Sequence, residues 1–379
     1  MHISILCSEF APFTDSPLSA VTAGLAAQMV RNGAEVSLIM PLAASAAPAP
    51  VPLARRLNRV EVSADGDTAS FVRFDGRTAA GVNVLLLDGG GVSTPGLLGA
   101  AATALLDGGG MPSCDGVVVM NGAFRPVRPN GASWRIVHVI CGDGPEVVIG
   151  PDDGLLVMGR GTARRLTAQG GAAGRMVADG RALVLPMATS VAVPTDFDKP
   201  SWKARCQYDW GLPVADVPLV FWGDTRQMDV DVLRRLLRQD VQVVLIGAPS
   251  EILTGLADEY PDRLALLPGG ELTAVTAGCD FQLCADARQV ADCLPLQTVP
   301  LVHRDAADAT VDLDSSLSSG SAVHFGDGTG RTMEGAFGEA VAACRHRDSF
   351  VLLRHRLSHL AHPWTKTAAA LDALLGSAI

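Results

Sequence analysis

Chemically capable side chains are sparse in this sequence, and few stand where neighbours could assist them. Glu9 and Asp15 lie with two prolines and small polar residues in Ser8–Pro17, a stretch that could offer carboxylates to a ligand. Two triple-glycine runs, at 89–91 and 108–110, are followed by no Lys-Ser/Thr pair and no dinucleotide pattern, so they read as plain turns. The eight cysteines (7, 114, 141, 206, 279, 284, 293 and 344) form no CxxC pair and sit mostly inside apolar runs. They read as reduced core thiols. His355 and His359 are four apart and could share a helix face, but no HExxH pattern surrounds them. No metal and no cofactor is expected.

A repeating pattern must position these groups. Residues 2–7 form a short apolar, β-branched run, which predicts a buried strand. Leu18, Val21, Leu25 and Met29 then recur at helical spacing. A strand, a loop and an amphipathic helix make the first unit of a doubly wound sheet, whose ligands sit at the carboxyl ends of the strands. The loop 8–17 therefore faces the expected site. Further strands are predicted at 35–40, 57–62, 70–74, 82–87, 116–120, 136–140 and 155–158, with helices at 96–106 and 162–168. Residues 43–51 read as an Ala/Pro-rich loop.

Residues 182–200 read as a strand followed by a Pro-punctuated crossing, the expected domain boundary. Beyond it, strands at 219–222, 241–246, 263–267, 281–284 and 299–302 alternate with helices at 230–238, 251–259, 271–277 and 289–294. That alternation predicts a parallel sheet with helices on both faces. Residues 331–377 read as nearly continuous helix interrupted near Pro363, with Trp364, Ala368, Leu371, Leu374 and Leu375 in one apolar stripe. The expected fold class is α/β: two doubly wound, Rossmann-like domains (1–193 and 194–355) facing a cleft, with a helical tail (356–379) packed back on the first.

Composition narrows the function. The 379 residues are 48% hydrophobic, enough for two cores. Net charge is −10 and no basic stripe stands out, so neither nucleic acid nor an anionic membrane is an expected partner. No uninterrupted apolar stretch would span a bilayer and no secretory pattern opens the chain, so a cytoplasmic location is expected.

An ordered series of segments resembles the bacterial glycogen and starch synthases, ADP-glucose-dependent glucosyltransferases of GT-B fold. SEFAPF at 8–13 is similar to that family's SEVAPF-type start, and GVNVLLLDGGG at 81–91 with GLLG at 96–99 to its GVPVYFLD…GLYG passage. DEYPDRLALLPG and AGCDFQLCAD within 258–286 resemble its RYPGRVAV…AGADFFLMPS segment. QTVPLVHR at 297–304 looks like GTLPIVRR, and HPWTKTAAALDALL at 362–375 like the SWERSAARYLELY tail. The resemblance implies a GT-B-like fold and, if active, retaining sugar transfer.

The family's functional motifs do not carry over. Its KTGG donor loop falls on Asp15, Ser16, Pro17 and Leu18, and its histidine-bearing HAHDWH segment on residues 118–123, around Met120. Its IHN strand end matches 139–141, ending at Cys141, and its NGID turn falls on 186–189. The phosphate-neutralising arginine and lysine of its SRLTxQKG segment fall on Gly223 and Met228. Its catalytic-glutamate segment falls at Ala287, Arg288 and Gln289, beside Asp286, and its following glycine pair near Asp305 and Ala306.

The physical consequence is one-sided. A diphosphate needs cations or converging N–H groups, whereas Asp15, Asp224, Asp229 and Asp286 stand at or beside the matched positions. A carboxylate facing a phosphate costs about 1–4 kcal/mol at a surface-like dielectric, and each lost charge-assisted bond about 1.5–3 kcal/mol more. Together these match a micromolar affinity of about 8 kcal/mol. The resemblance thus implies a pseudoenzyme: the scaffold is kept, catalytic residues are absent, and the vestigial positions are Asp15, Ser16, Met120, Cys141, Gly223, Met228, Asp286 and Gln289. Its partners would be another protein or a second copy, with a carbohydrate ligand as the further option. The alternative is a transferase of altered donor or acceptor gripping phosphate through Arg226, Arg288 and Arg304. A third reading is a binder of glucan or of a small ligand.

Overall fold

The computed structural model describes residues 1–14, 16–42, 51–91, 94–108, 113–127, 134–142, 147–224, 229–269, 271–307, 310–326 and 329–376. It divides into two units, Met1–Ala188 with Pro363–Ile379, and Thr189–His362. The loop 43–50, Asp15 and residues 225–228 lie outside the described residues.

The first unit begins with β1 (His2–Leu6), α1 (Pro17–Arg31) and β2 (Glu35–Pro41). A hairpin of β3 (Ala54–Ala64) and β4 (Asp67–Arg77) leads to β5 (Asn83–Asp88) and α2 (Pro95–Leu106). Then come β6 (Gly116–Met120), β7 (Arg135–Cys141), β8 (Gly154–Met158), α3 (Arg160–Gln169), α4 (Gly171–Ala178) and β9 (Leu183–Leu185). They form one nine-stranded sheet ordered β3-β4-β5-β2-β1-β6-β7-β8-β9. The strands β1, β6 and β7 are mostly apolar and buried almost throughout, as strands covered on both faces are.

The sheet is parallel except at one border, where β4 pairs antiparallel with both β3 and β5. A two-residue Asp65-Gly66 turn makes that hairpin; both residues have positive φ (56° and 87°), the geometry that asparagine, aspartate and glycine tolerate best. This antiparallel border is added to an otherwise parallel, doubly wound sheet. The exposed residues of β3 need no second covering layer, which is why its apolar pattern is weak.

The second unit contains α5 (Lys199–Asp209), β10 (Leu219–Asp224), α6 (Val230–Leu237), β11 (Gln242–Ile246), α7 (Glu251–Glu259), β12 (Leu264–Leu267), α8 (Leu272–Gly278) and β13 (Phe281–Cys284). It continues with α9 (Ala287–Cys293), β14 (Val299–His303), β15 (Val323–Phe325), α10 (Met333–Ala343) and α11 (Arg347–Leu360). Its six strands are all parallel, in the order β12-β11-β10-β13-β14-β15. Val220, Leu233, Leu237, Val243, Phe281, Phe337 and Leu353 are central to its core.

The C-terminal region is three helices rather than one interrupted once, which corrects the expectation. α10 ends at the Cys344 cap, α11 starts only at Arg347, and α12 (Trp364–Gly376) follows Pro363. Within the first unit α12 lies on α1: a Cβ added to Gly24 would come 2.7 Å from the Trp364 indole. Glycine there lets the ring approach the helix backbone.

One arrangement recurs at the amino ends of the strands. An aspartate immediately precedes β6, β8 and β13. Asp115 accepts the His2 N–H at 2.7 Å, and Asp280 accepts the Leu219 N–H at 2.9 Å, each tying the start of the neighbouring strand. Asp153 accepts the Gly150 N–H at 2.7 Å and meets His138 Nε2 at 3.0 Å and Arg125 Nη2 at 3.0 Å. Burial alone would push the Asp153 carboxyl up, but these partners hold it below the usual range.

Candidate functional site

In doubly wound sheets the ligand-binding position lies at the carboxyl ends of the strands, where strand order reverses. In the first unit this is the β1/β6 pair, and in the second the β10/β13 pair. Each unit is taken in turn.

In the first unit the chain leaves β1 at Cys7, whose thiol burial pushes far up, and enters a loop closed by Ser16. Ser16 is the N-cap of α1. Its hydroxyl oxygen accepts the Ser19 N–H at 3.0 Å, while the Ser19 hydroxyl oxygen accepts the Ser16 N–H at 3.0 Å. The Ser16 hydroxyl also donates to the Glu9 carboxylate. Pro17 occupies the first helical position and brings no N–H. The helix terminus that could have received an anion is therefore largely satisfied from within, with a carboxylate beside it.

The end of β6 is equally committed. Met120 is wholly buried, so it belongs to the core. Asn121 follows with φ of 46°, a left-handed conformation that asparagine tolerates. Its side chain clamps the end of β7: Nδ2 donates to the Cys141 carbonyl at 2.8 Å, and Oδ1 accepts the Cys141 N–H at 2.8 Å. Burial raises the Cys141 thiol to about 12, which disfavours the reactive thiolate near neutral pH.

Cations do stand at the carboxyl end of β8. Arg160 and Arg164, both exposed, and Arg165 all lie on α3, and Arg165 Nη2 donates to the Gly142 carbonyl. Sequence reasoning passed over these arginines and Asn121. The available signals were the GRGTARR run directly after an apolar strand and the Asn-Gly pair at another strand's end.

In the second unit, Gly223 is the penultimate residue of β10, at a register shift, with φ of 96°, a conformation that favours glycine. Arg226 and Met228 lie outside the described residues. Asp286 caps α9, accepting the Gln289 N–H at 2.9 Å, and the Gln289 side-chain oxygen accepts the Ala285 N–H at 2.8 Å. Both side chains hold the turn between β13 and α9. Arg288 pairs with Asp292 at 3.7 Å, one helical turn on. Burial pushes the Asp292 carboxyl up, against the Thr189 hydroxyl that donates to it at 2.6 Å and the Arg288 charge. Arg304 opens a short 3-10 turn after β14 and is exposed. His303 packs edge-on to Phe325, the ring centroids 5.6 Å apart. Among the described residues, no group of three His, Cys, Asp or Glu side chains is placed to hold a metal ion.

The sequence-predicted positions thus lie at the carboxyl ends of their own sheets, Ser16, Met120 and Cys141 in one and Gly223, Asp286, Gln289, Arg288 and Arg304 in the other. Comparison with known proteins extends this geometry. No protein-family model matches the chain, and no curated protein matches it by sequence. Solved structures do match over the full length. The catalytic domain of starch synthase IV from Arabidopsis thaliana, bound to ADP and acarbose, superposes with a TM-score of 0.68 at 16% identity, covering 99% of this chain and 98% of that one. WaaG, a glycosyltransferase of lipopolysaccharide biosynthesis, gives a TM-score of 0.58 at 12% identity, covering 99% and 100%. The glycosyltransferase SnogD from Streptomyces nogalater gives 0.50 at 14% identity, covering 99% of each chain. The chain has a starch-synthase-like GT-B fold. No helix among the described residues is long and apolar enough to cross a membrane.

Proposed function

We propose that this glycosyltransferase-like chain has lost donor-diphosphate binding and sugar transfer, and serves as a binding or assembly module for a protein partner or a second copy of itself. The observation that carries this reading is the state of the α1 N-terminus. Ser16 is taken up by the Ser19 N–H and the Glu9 carboxylate, and Pro17 removes a donor. A diphosphate arriving there would meet a carboxylate where it needs N–H groups or a cation. The capping roles of Asp286 and Gln289 support the same reading, because side chains that hold a turn are not free to act on a sugar. Isothermal titration with ADP-glucose, UDP-glucose and GDP-mannose, followed by a radiolabelled transfer assay, tests it. Neither saturable heat nor transfer is expected, and measurable turnover with any donor overturns it.

A transferase of altered donor or acceptor is the second reading. It is favoured by the exposed Arg304 after β14, with Arg288 one strand away. For any nucleotide sugar that does bind, Arg304→Ala would then weaken binding tenfold or more. An unchanged affinity discards this second reading.

A further inference from the structure

The second unit carries a cavity that neither reading uses, at the amino ends of its strands. It measures about 580 Å³ and opens between α5, α11 and the residues leading into β10. On its floor Lys203 and Arg354, each 12% exposed, share one carboxylate, Asp280, which is 1% exposed. Lys203 Nζ donates to Asp280 Oδ2 at 2.7 Å and to the Val217 carbonyl at 2.6 Å. Arg354 donates to Asp280 Oδ1, and its guanidinium lies 4.5 Å above the Phe350 ring. Asp280 is saturated, since it also takes the Leu219 N–H.

The charges do not balance. At the rim Arg345 and Arg347 are equal in number to Asp216 and Asp240, and Arg347 pairs with Asp216. On the floor two cations, largely buried, face one anion, leaving one positive charge without an anionic partner. Such a charge is expensive unless something compensates it. The walls are largely apolar, built from Val214, Pro218, Val341, Phe350 and Val351. We infer that this cavity binds a small organic monocarboxylate, its single negative charge set against Lys203 and Arg354 and its hydrocarbon body against the Phe350 and Val351 wall. A phosphate dianion fits less well, because the lining carries one positive charge in excess and a second negative charge would add to those of Asp280, Asp216 and Asp240. The inference does not depend on whether the carboxyl ends bind a sugar nucleotide.

Titration of the full chain with benzoate and 4-phenylbutyrate, followed by calorimetry and thermal shift, tests it. Both should bind saturably and raise the melting temperature, at least tenfold more tightly than benzamide or acetate. Val351→Trp fills the cavity from its exposed wall and leaves every charged residue of the cluster in the sequence, and should abolish binding while keeping the wild-type melting curve. Lys203→Met should weaken benzoate at least tenfold, and if that variant fails to fold, Val351→Trp still decides. The inference falls if no carboxylate saturates at millimolar concentration, if benzamide matches benzoate, if inorganic phosphate binds more tightly than benzoate, or if folded Val351→Trp binds as the wild type does.

Discussion

The two ends of the second sheet treat charge in opposite ways. At the carboxyl ends the polar residues are half-buried or exposed and make local bonds: Asp286 and Gln289 hold the start of α9, Asp229 caps α6, and Arg304 is exposed. At the amino ends Lys199, Lys203, Asp280 and Arg354 form a buried cluster whose bonds join α5, α11 and the starts of β10 and β14. The first sheet repeats the contrast, with the Ser16 cap beside the carboxyl ends and the Asp153–His138–Arg125 cluster at the start of β8. Charge placed far from the expected ligand position is tied to strand starts, whereas Ser16, Asp229 and Asp286, close to it, cap helices. The two sets of residues do different work, so a change at the carboxyl ends need not cost the stability held at the amino ends.

Substitution at Asp280 should break that contrast most severely. Asp280→Ala leaves Lys203 and Arg354 buried without their shared anion, the situation that costs about 3–5 kcal/mol. Urea denaturation should show a loss of that size with an unchanged slope. A loss below about 1 kcal/mol would mean that the amino ends are as tolerant as the carboxyl ends.

Much of the architecture was legible in the sequence because parallel strands buried on both faces read as apolar runs, and β6, β13 and α7 lie where periodicity put them. α5 was not legible: its Lys199, Lys203 and Gln207 are polar by type yet buried or half-buried, so no apolar stripe announces it. β15 has only three residues, too few to show a period. Type alone could not say that Asp286 would cap a helix and Asp280 hold two cations, although only five residues lie between them. Burial decides between such roles, and it is a property of the folded chain.

A middle-sized effect separates the two ends by pH. Burial, helped by the nearby Arg354 charge, lowers Lys199 to about 7 in the folded chain, against 10.5 for the ordinary side chain. Between those values the unfolded chain binds a proton that the folded chain does not, so stability rises with pH across this window. The penalty of burying the charged form is complete below about pH 7. From pH 7 to 8.5 the contribution should be about 2 kcal/mol, at about 1.4 kcal/mol per pH unit for one proton. The stability of wild type minus that of Lys199→Met, measured across this range, should rise accordingly. A flat difference would remove Lys199 from the buried cluster.

The smallest effect is the most diagnostic for the carboxyl ends. Ser16→Ala removes the hydroxyl that accepts the Ser19 N–H and donates to Glu9, and Asp286→Ala removes the acceptor for the Gln289 N–H. Lost caps cost about 0.5–2 kcal/mol each, well short of the Asp280 loss. The two caps share no hydrogen-bond partner, so the double variant should be additive within about 0.5 kcal/mol. If instead either substitution leaves stability unchanged while altering the binding of a sugar nucleotide, that side chain serves a ligand before it serves its helix, and the carboxyl ends retain the chemistry that their hydrogen bonds argue against.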